Sequence, residues 1–477
     1  MHIALIGAGV AGTAVLQQLL TMKPAEISII SQGIPGCSEA FTGAADWHLA
    51  NTSNDTMSLI PGDPQHYTNW LARRGADPKI TFTGRATFGR YLTETFDATL
   101  RQFDERGTTV TTVRDTATAV ALEPLGRPRI SLASGRAVKA DHVILCTGPG
   151  RARTLPTLPA ACADDYFTSP YSTDFSQFLA AIPGARVLVL GSKLSAVDAV
   201  KTCLRNQAST VMASRSGQLP SVRTDLALQW AGTTAPDTEH EAFINFLCAS
   251  EHPEKFLRHI LSALPGATEL GTPVPHDSLV LLGAELAAAR TGRNSWQDLV
   301  GPMIEQANLL WPVLPLATVK RLKAITARYL NRFVSAIPAE SAQELIRGAE
   351  QGLFTIRGMP QTLRREEGRW IARWSTGSYE TFDAVVSALG HEGSPWALSA
   401  DGITTGTPTG NLPVAVDLSI QIPGAARSRA WAVGAPTASR FPVVNYVRTA
   451  VMQAERVVNQ LTAAHQTRHA QRQPTHI

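Results

Sequence analysis

The sequence predicts a mixed α/β protein of two parallel-sheet units with a helical insertion. Three observations carry that prediction. A strand, glycine turn and helix open the chain over residues 2–20, and a second such passage begins at Arg186. Each passage is followed by another apolar strand, Glu26 to Ser31 in the first case and Thr210 to Ser214 in the second. Residues 226–348 instead carry helical patterning, as at Phe243, Phe246 and Leu247 and at Ile304 and Leu310. Strand, tight turn, helix and strand make the βαβ half of a Rossmann-like dinucleotide-binding sheet, so two nucleotides are implied.

Composition bounds the rest. At 477 residues the chain is about three times the usual domain length, enough for two or three domains with large cores. Hydrophobic residues make up 44% and charged residues 17%, which excludes global disorder. The net charge of +4 is spread without a long basic run, so no footprint for nucleic acid or an anionic membrane is expected. Cys37, Cys146, Cys162, Cys203 and Cys248 lie far apart without a Cys-x-x-Cys pair. That spacing excludes a redox dithiol or zinc knuckle and predicts reduced cytoplasmic thiols. The apolar start has no basic n-region, and no uncharged run reaches the length of a membrane span. No metal-ligand cluster, Ser-His-Asp order or phosphate loop is evident, which excludes hydrolase and kinase readings. The expected partners are small molecules, with a homo-oligomer left open.

In the first motif the apolar run His2 to Ile6 leads into Gly7-Ala-Gly9-Val-Ala11-Gly12 and then a helix-compatible stretch to Leu20. Gly7 permits the turn, Gly9 lets the backbone approach a pyrophosphate, and Gly12 allows close helix–strand packing, with the amide of Ala11 and its neighbours facing the phosphates. The fingerprint places Asp or Glu about 20 residues beyond the glycines to hold the ribose. Ser31 and Gln32 stand there, so only neutral hydrogen bonding is on offer.

The second motif reads Leu190-Gly191-Ser-Lys193-Leu-Ser195-Ala196. Lys193 occupies the second glycine position, where a side chain crowds the pyrophosphate path or contacts a phosphate as a point charge. Arg215 ends the following strand, where arginine pairs with the 2′-phosphate of NADP. NADPH binding is therefore expected, the alternative being a relic of the fold with an ordinary surface arginine.

Two further strands end in small-residue turns, at Cys146-Thr147-Gly148-Pro149 and at Ser387-Ala-Leu389-Gly390, and a third reaches Val433-Gly434 before a helix-like stretch from about Asn445 to Leu461. In this order they resemble the returning strands of two-dinucleotide flavoproteins, with Thr147, Gly148 and Gly434 beside FAD. Residues 41–71 are more specific: Trp47-His48-Leu49-Ala-Asn51, then Met57, then Asp63-Pro64 and Trp70-Leu71, followed by Arg85-Ala-Thr-Phe88-Gly89-Arg90-Tyr91-Leu92. This run resembles the bacterial FAD-NAD(P)-binding family and, more distantly, the N-hydroxylating class B flavin monooxygenases that act on ornithine and lysine. The resemblance extends over almost the whole chain.

The resemblance implies FAD in the first unit, NADPH in the second, and His48, Asn51 and Met57 near the isoalloxazine face, with His48 and Asn51 the candidate catalytic pair. The bland alternative is a packed helix–loop in which Trp47, Met57 and Trp70 are core and His48 is a satisfied hydrogen-bonding residue. The implied chemistry is oxygenation of a small nucleophile, an amine among the candidates, through a flavin C4a-hydroperoxide formed from O2. Two alternatives stay open: a flavin dehydrogenase or oxidase that does not use NADPH, and a non-catalytic flavoprotein partner in a biosynthetic pathway. Trp296, Trp311, Arg321, Arg328 and Arg332 read as core and surface, not site.

The expected organisation is a discontinuous FAD unit over residues 1–155 and 381–464, an NAD(P)H-type unit over 156–225 and 349–380, the insertion at 226–348 and a frayed tail at 465–477.

Overall fold

The computed structural model describes residues 1–122, 127–155, 164–226, 277–294, 296–315, 317–322, 332–406, 412–422 and 429–472. The first unit begins with β1 (His2–Ile6), α1 (Val10–Leu19) and β2 (Glu26–Ile30), and continues through α2 (Glu39–Thr42), α3 (His66–Ala72) and α4 (Arg85–Glu105) to β3 (Thr109–Val113). An antiparallel excursion, β4 (Ala117–Ala121), β5 (Arg129–Leu132) and β6 (Ala137–Lys139), precedes β7 (His142–Leu145). The second unit starts with β8 (Tyr166–Phe167), α5 (Thr173–Ala181), β9 (Arg186–Leu190), α6 (Leu194–Arg205), β10 (Ser209–Ser214) and β11 (Val222–Arg223). Two helices of the insertion follow, α7 (Ser278–Arg290) and α8 (Gln297–Leu310). The second unit resumes with β12 (Ile337–Pro338), α9 (Ala339–Glu350), β13 (Phe354–Gly358), β14 (Thr362–Glu366), β15 (Arg369–Arg373), β16 (Tyr379–Phe382) and β17 (Ala384–Ser387). Last come β18 (Trp396–Ser399), β19 (Gly402–Thr405), β20 (Ala430–Ala432) and α10 (Val447–Arg472).

The two parallel sheets are built alike. The first runs β20-β7-β1-β2-β3 and the second β13-β10-β9-β17-β8. In each, the strand before the glycine turn is central, the next two strands lie to one side, and the returning strand, β7 or β17, lies to the other. Both central strands are buried along most of their length because both faces are covered, in the second unit by helices on one side and by the β14-β15-β16 strands on the other, which is why His-Ile-Ala-Leu-Ile and Arg-Val-Leu-Val-Leu run apolar without alternation. In the first core Leu5, Ile29 and Leu16 pack with Val458 and Leu461 of α10. In the second, Val187, Val197, Val200 and Leu345 pack with Phe354.

This equivalence corrects two expected boundaries. β17 pairs in parallel with β9, so the turn at Ser387 to Gly390 is the second unit's own return, and the chain re-enters the first unit only beyond it, not at Thr381. Helix α9 is the crossover into β13 and shares the second core, so the insertion ends before Ala339. β15 is the middle strand of a separate antiparallel sheet, β14-β15-β16. The carboxyl-terminal helix also runs on to Arg472 where a frayed tail was expected from residue 465. Phe243, Phe246, Leu247, Cys162, Cys248 and Arg328 lie outside the described residues.

Two strands of chain link the units side by side. The amide of Arg153 donates to the Gly390 carbonyl (2.9 Å), that of Glu392 to Arg151 (2.9 Å) and that of Gly393 to Pro149 (3.1 Å). Gly150, at φ +82°, lies so near that a Cβ would stand 2.0 Å from the Gly393 oxygen. No helix among the described residues is long and apolar enough to cross a membrane.

Candidate nucleotide sites and the junction between them

The first glycine turn divides its labour visibly. Gly7 has φ +97°, and a Cβ there would stand 2.5 Å from the Cys146 carbonyl oxygen; at Gly12 it would stand 2.3 Å from the Gly7 oxygen. Both glycines are therefore structural. At Gly9 the nearest atom to a Cβ is the Cys37 oxygen at 3.5 Å, so the protein itself leaves room there. Gly9 is the N-cap of α1, and no side chain caps that helix. Its first amides, Ala11 among them, thus face outward with the positive end of the helix dipole. Thr147 brings a buried hydroxyl without a hydrogen-bond partner, and a Cβ at the neighbouring Gly148 would meet nothing within 4 Å. Gly434, at φ +76°, closes the far side, where a Cβ would stand 3.1 Å from that of Ala11.

Gly7, Gly9, Ala11, Gly12, Thr147, Gly148 and Gly434 are therefore brought together at the carboxyl ends of β1, β7 and β20. An open backbone approach, uncapped amides and an orphaned hydroxyl fit the diphosphate of a dinucleotide, whose oxygens only accept hydrogen bonds. Ser31 ends β2, its amide donating to the Val113 carbonyl (3.1 Å), one residue beyond Ile30, whose carbonyl accepts from the Gly7 amide (2.8 Å). Gln32 beside it is exposed.

The second turn keeps the geometry with different chemistry. Gly191 has φ +114°, and a Cβ there would stand 2.3 Å from the Ala388 oxygen, the counterpart of Gly7 against Cys146. Lys193 is the N-cap of α6 with extended backbone (φ −97°, ψ −165°), so lysine fits without strain, and no side chain caps the helix. Partial burial of its side chain, then the neighbouring charge of Arg215, lowers the Lys193 pKa. Two cations therefore share the edge of this cradle. Ser195 lies in the first turn of α6.

The polar side chains of His48 and Asn51 are bonded toward the second unit. His48 is buried against α6: the Ala45 amide donates to its Nδ1 (3.0 Å), and its Nε2 lies 2.8 Å from Thr202 Oγ1, which itself donates to the Asp198 carbonyl (2.9 Å). An accepting Nδ1 requires the proton on Nε2, so both ring nitrogens are engaged and neither is free to take a proton from a substrate. Burial also holds its pKa below the ordinary histidine value. Asn51 Nδ2 donates to the Val334 carbonyl (3.3 Å) in the connection after the insertion. Met57 and Trp70 are enclosed in the first core, whereas Trp47 is 40% exposed. The Trp-His-Leu segment is thus mostly the packed helix–loop, with its polar side chains turned to the second unit.

Sequence reasoning missed the residues they meet. Asp198 of α6, buried, accepts from Arg85 Nε of α4 (2.9 Å) and from the Tyr171 hydroxyl (2.7 Å). Lys201, also buried, donates to the Trp47 carbonyl and to Ser341 Oγ (3.1 Å) and lies 3.4 Å from Glu344. Arg223 is fully buried; Nη1 donates to the Asn51 carbonyl (3.0 Å), and Nη2 to those of Val334 (3.1 Å) and Phe333. Its pKa is lowered by burial, against which Tyr446 and Asp225 act. A signal existed for Asp198 and Lys201, two charges within the apolar helical run Val197 to Leu204. Arg223, on a two-residue strand, left none.

Comparison with known proteins bears on this geometry. Residues 4–150 match the FAD-NAD(P)-binding family. No curated protein matches the chain by sequence. Among solved structures, the reduced ornithine hydroxylase of Pseudomonas aeruginosa superposes with a TM-score of 0.59 at 15% identity, over 97% of this chain and 98% of that one. The ornithine N-hydroxylase of Kutzneria sp. 744, with reduced FAD, NADP+ and L-ornithine, gives 0.60 at 12% identity over 97% and 99%. The L-lysine 6-monooxygenase of Pseudomonas syringae gives 0.52 at 14% identity over 97% and 99%. Along nearly its whole length, then, the chain has the two-Rossmann fold of the N-hydroxylating flavin monooxygenases, with an FAD-NAD(P)-binding match at its amino end.

Proposed function

We propose that the protein is an FAD-dependent monooxygenase that takes electrons from NADPH and an oxygen atom from O2 to oxygenate a small nucleophilic metabolite, with an amine as the first candidate. The observation that carries this reading is the pair of equivalent cradles, one with uncapped amides around Gly9 and an orphaned Thr147 hydroxyl, the other flanked by Lys193 and Arg215. The proteins that share the fold act on ornithine and lysine, which supports an amine.

FAD, when bound, supplies storage of an electron pair and activation of O2. The residues of the chain bind and orient. The first-turn amides of α1 and the Thr147 hydroxyl would hold the flavin diphosphate, with Ser31 and Gln32 at the ribose edge; Lys193, Ser195 and Arg215 would hold NADPH at α6. Asn51 and Met57 would act on the flavin side as packing and backbone anchors, while His48 ties that segment to α6. An ammonium has no lone pair, so an amine substrate reacts only after losing its proton. His48 is not placed to remove it.

The test is anaerobic addition of NADPH to the purified yellow protein, followed by oxygen and a panel of primary amines. Bleaching by NADPH and amine-dependent recovery of hydroxylated product are expected. A colourless protein that takes up no FAD, or a flavoprotein that turns over no amine or other nucleophile, refutes the reading. Lys193 at the second glycine position favours one competitor, a flavin dehydrogenase or oxidase. Bleaching by substrate without bleaching by NADPH identifies it.

A further inference from the structure

Besides Arg223, which donates to the Asn51 carbonyl, the two units touch through two sets of contacts. On one side are the paired linkers at residues 149–153 and 390–393, which are backbone only. On the other side α6, the helix that starts at the second cradle, carries three buried polar side chains that each bond to the first unit, Asp198 to Arg85, Lys201 to the Trp47 carbonyl and Thr202 to His48. Arg85 Nε donates to Asp198 Oδ2 (2.9 Å), and the Tyr171 hydroxyl donates to the same oxygen (2.7 Å). Arg85, in turn, is fixed at its own backbone, where its amide donates to the His48 carbonyl (2.7 Å). A chain of bonded groups therefore runs from α4 of the first unit through Asp198 of α6, the helix that starts at the second cradle, to Tyr171.

A bond between nucleotide-binding units matters because hydride transfer needs the reacting atoms close and aligned, and a misplacement of about 1 Å costs on the order of a hundredfold in rate. Charges are costly to bury, and here they are buried together with nearly every acceptor filled. A linker of two backbone strands constrains separation but little else, whereas the side-chain bonds set how α6 is rotated against α4.

We propose that Arg85, Asp198 and Tyr171 are positioning residues that hold α6, and with it the nicotinamide nucleotide, in register with the flavin unit. The inference rests on the proposed function. The step it concerns is the passage of one hydride from NADPH, which is oxidised to NADP+, to the flavin, which is reduced.

The test uses the FAD-loaded protein with Tyr171→Phe, Arg85→Met and Arg85→Lys. Tyr171→Phe removes a single hydroxyl and keeps the ring, so it folds even if Arg85→Met does not. Flavin reduction at saturating NADPH is followed by stopped flow, and exchange of the α6 amides, residues 194–205, by mass spectrometry. Expected is a fall of about tenfold in the limiting reduction rate for Tyr171→Phe and more for Arg85→Met, with the half-saturating NADPH concentration changed less than about threefold. Faster exchange in α6 and partial rescue by Arg85→Lys accompany it. Unchanged limiting rates, or a rise confined to the half-saturating concentration, overturn the inference, the latter by assigning the residues to nucleotide binding. If the unaltered protein is not reduced by NADPH at all, the proposed function fails in that respect. The register is still read from exchange: faster α6 exchange in the variants supports it and unchanged exchange overturns it.

Discussion

Two glycines three residues apart in one turn should respond to substitution in opposite ways. At Gly12 a Cβ would stand 2.3 Å from the Gly7 carbonyl oxygen, about 1 Å inside ordinary contact, and the obstacle is backbone. Gly12→Ala must push α1 off β1, at a cost of about 1–3 kcal/mol by the usual penalty for overpacking. At Gly9 the backbone is in a region any residue adopts (φ −81°, ψ −150°), and the nearest atom to a Cβ is at 3.5 Å. Gly9→Ala leaves the FAD-free protein as stable as before, or more so by about 0.4–1 kcal/mol from the stiffer unfolded chain. Its methyl group, however, points into the space a diphosphate must enter. Clash there of about 1–3 kcal/mol weakens FAD roughly 5- to 150-fold. Urea denaturation of FAD-free protein gives the first quantity, and calorimetric titration with FAD the second. Should Gly9→Ala bind FAD as tightly as the parent, or Gly12→Ala unfold at the same urea concentration, the assignment of the cradle is wrong.

Asp198→Ala strands the Arg85 guanidinium, whose side chain is 11% exposed against 5% for its partner, so the loss should reach about 3–5 kcal/mol in chemical denaturation. Arg85→Met on top of it should cost less than the sum of the two single changes, a non-additivity that a double-mutant cycle measures. Burial lowers the pKa of His48, and likewise of His2 and His66, so the folded state binds fewer protons than the unfolded. Stability is therefore fully present above about pH 6.5 and falls as pH drops below it, each histidine adding up to about 1.4 kcal/mol per pH unit to the slope. His48→Gln should flatten that acid limb by roughly one proton. Arg215→Ala should weaken NADPH by about fivefold, close to 1 kcal/mol for an exposed charge pair, and leave NADH unchanged; equal loss for both removes Arg215 from the phosphate site.

Local rules are strong where a single residue type is required by backbone geometry. The turns at Gly7 and Gly191, the packing at Gly12 and the small residue at Gly434 follow from what a Cβ would strike, and the helix and strand on either side are readable from runs of Val, Ile and Leu. Ownership of the turn at Ser387 to Gly390 was not readable in that way, because a returning strand looks the same whichever sheet it joins. Only the parallel pairing of β17 with β9 assigns it.

From the amino-acid order alone come the two βαβ units, the apolar central strands and the cradle that opens at Gly9, because each depends on neighbours in the chain. Tertiary structure alone decided the fate of the polar side chains. His48, Arg85, Asp198, Lys201 and Arg223 meet partners scores to hundreds of residues away. Such pairings carry no local period, and a charge bound for burial is spelled with the same letter as one bound for water. His48, whose sequence context left both a flavin-side role and a satisfied hydrogen-bonding role open, bonds in three dimensions to Thr202 of the second unit.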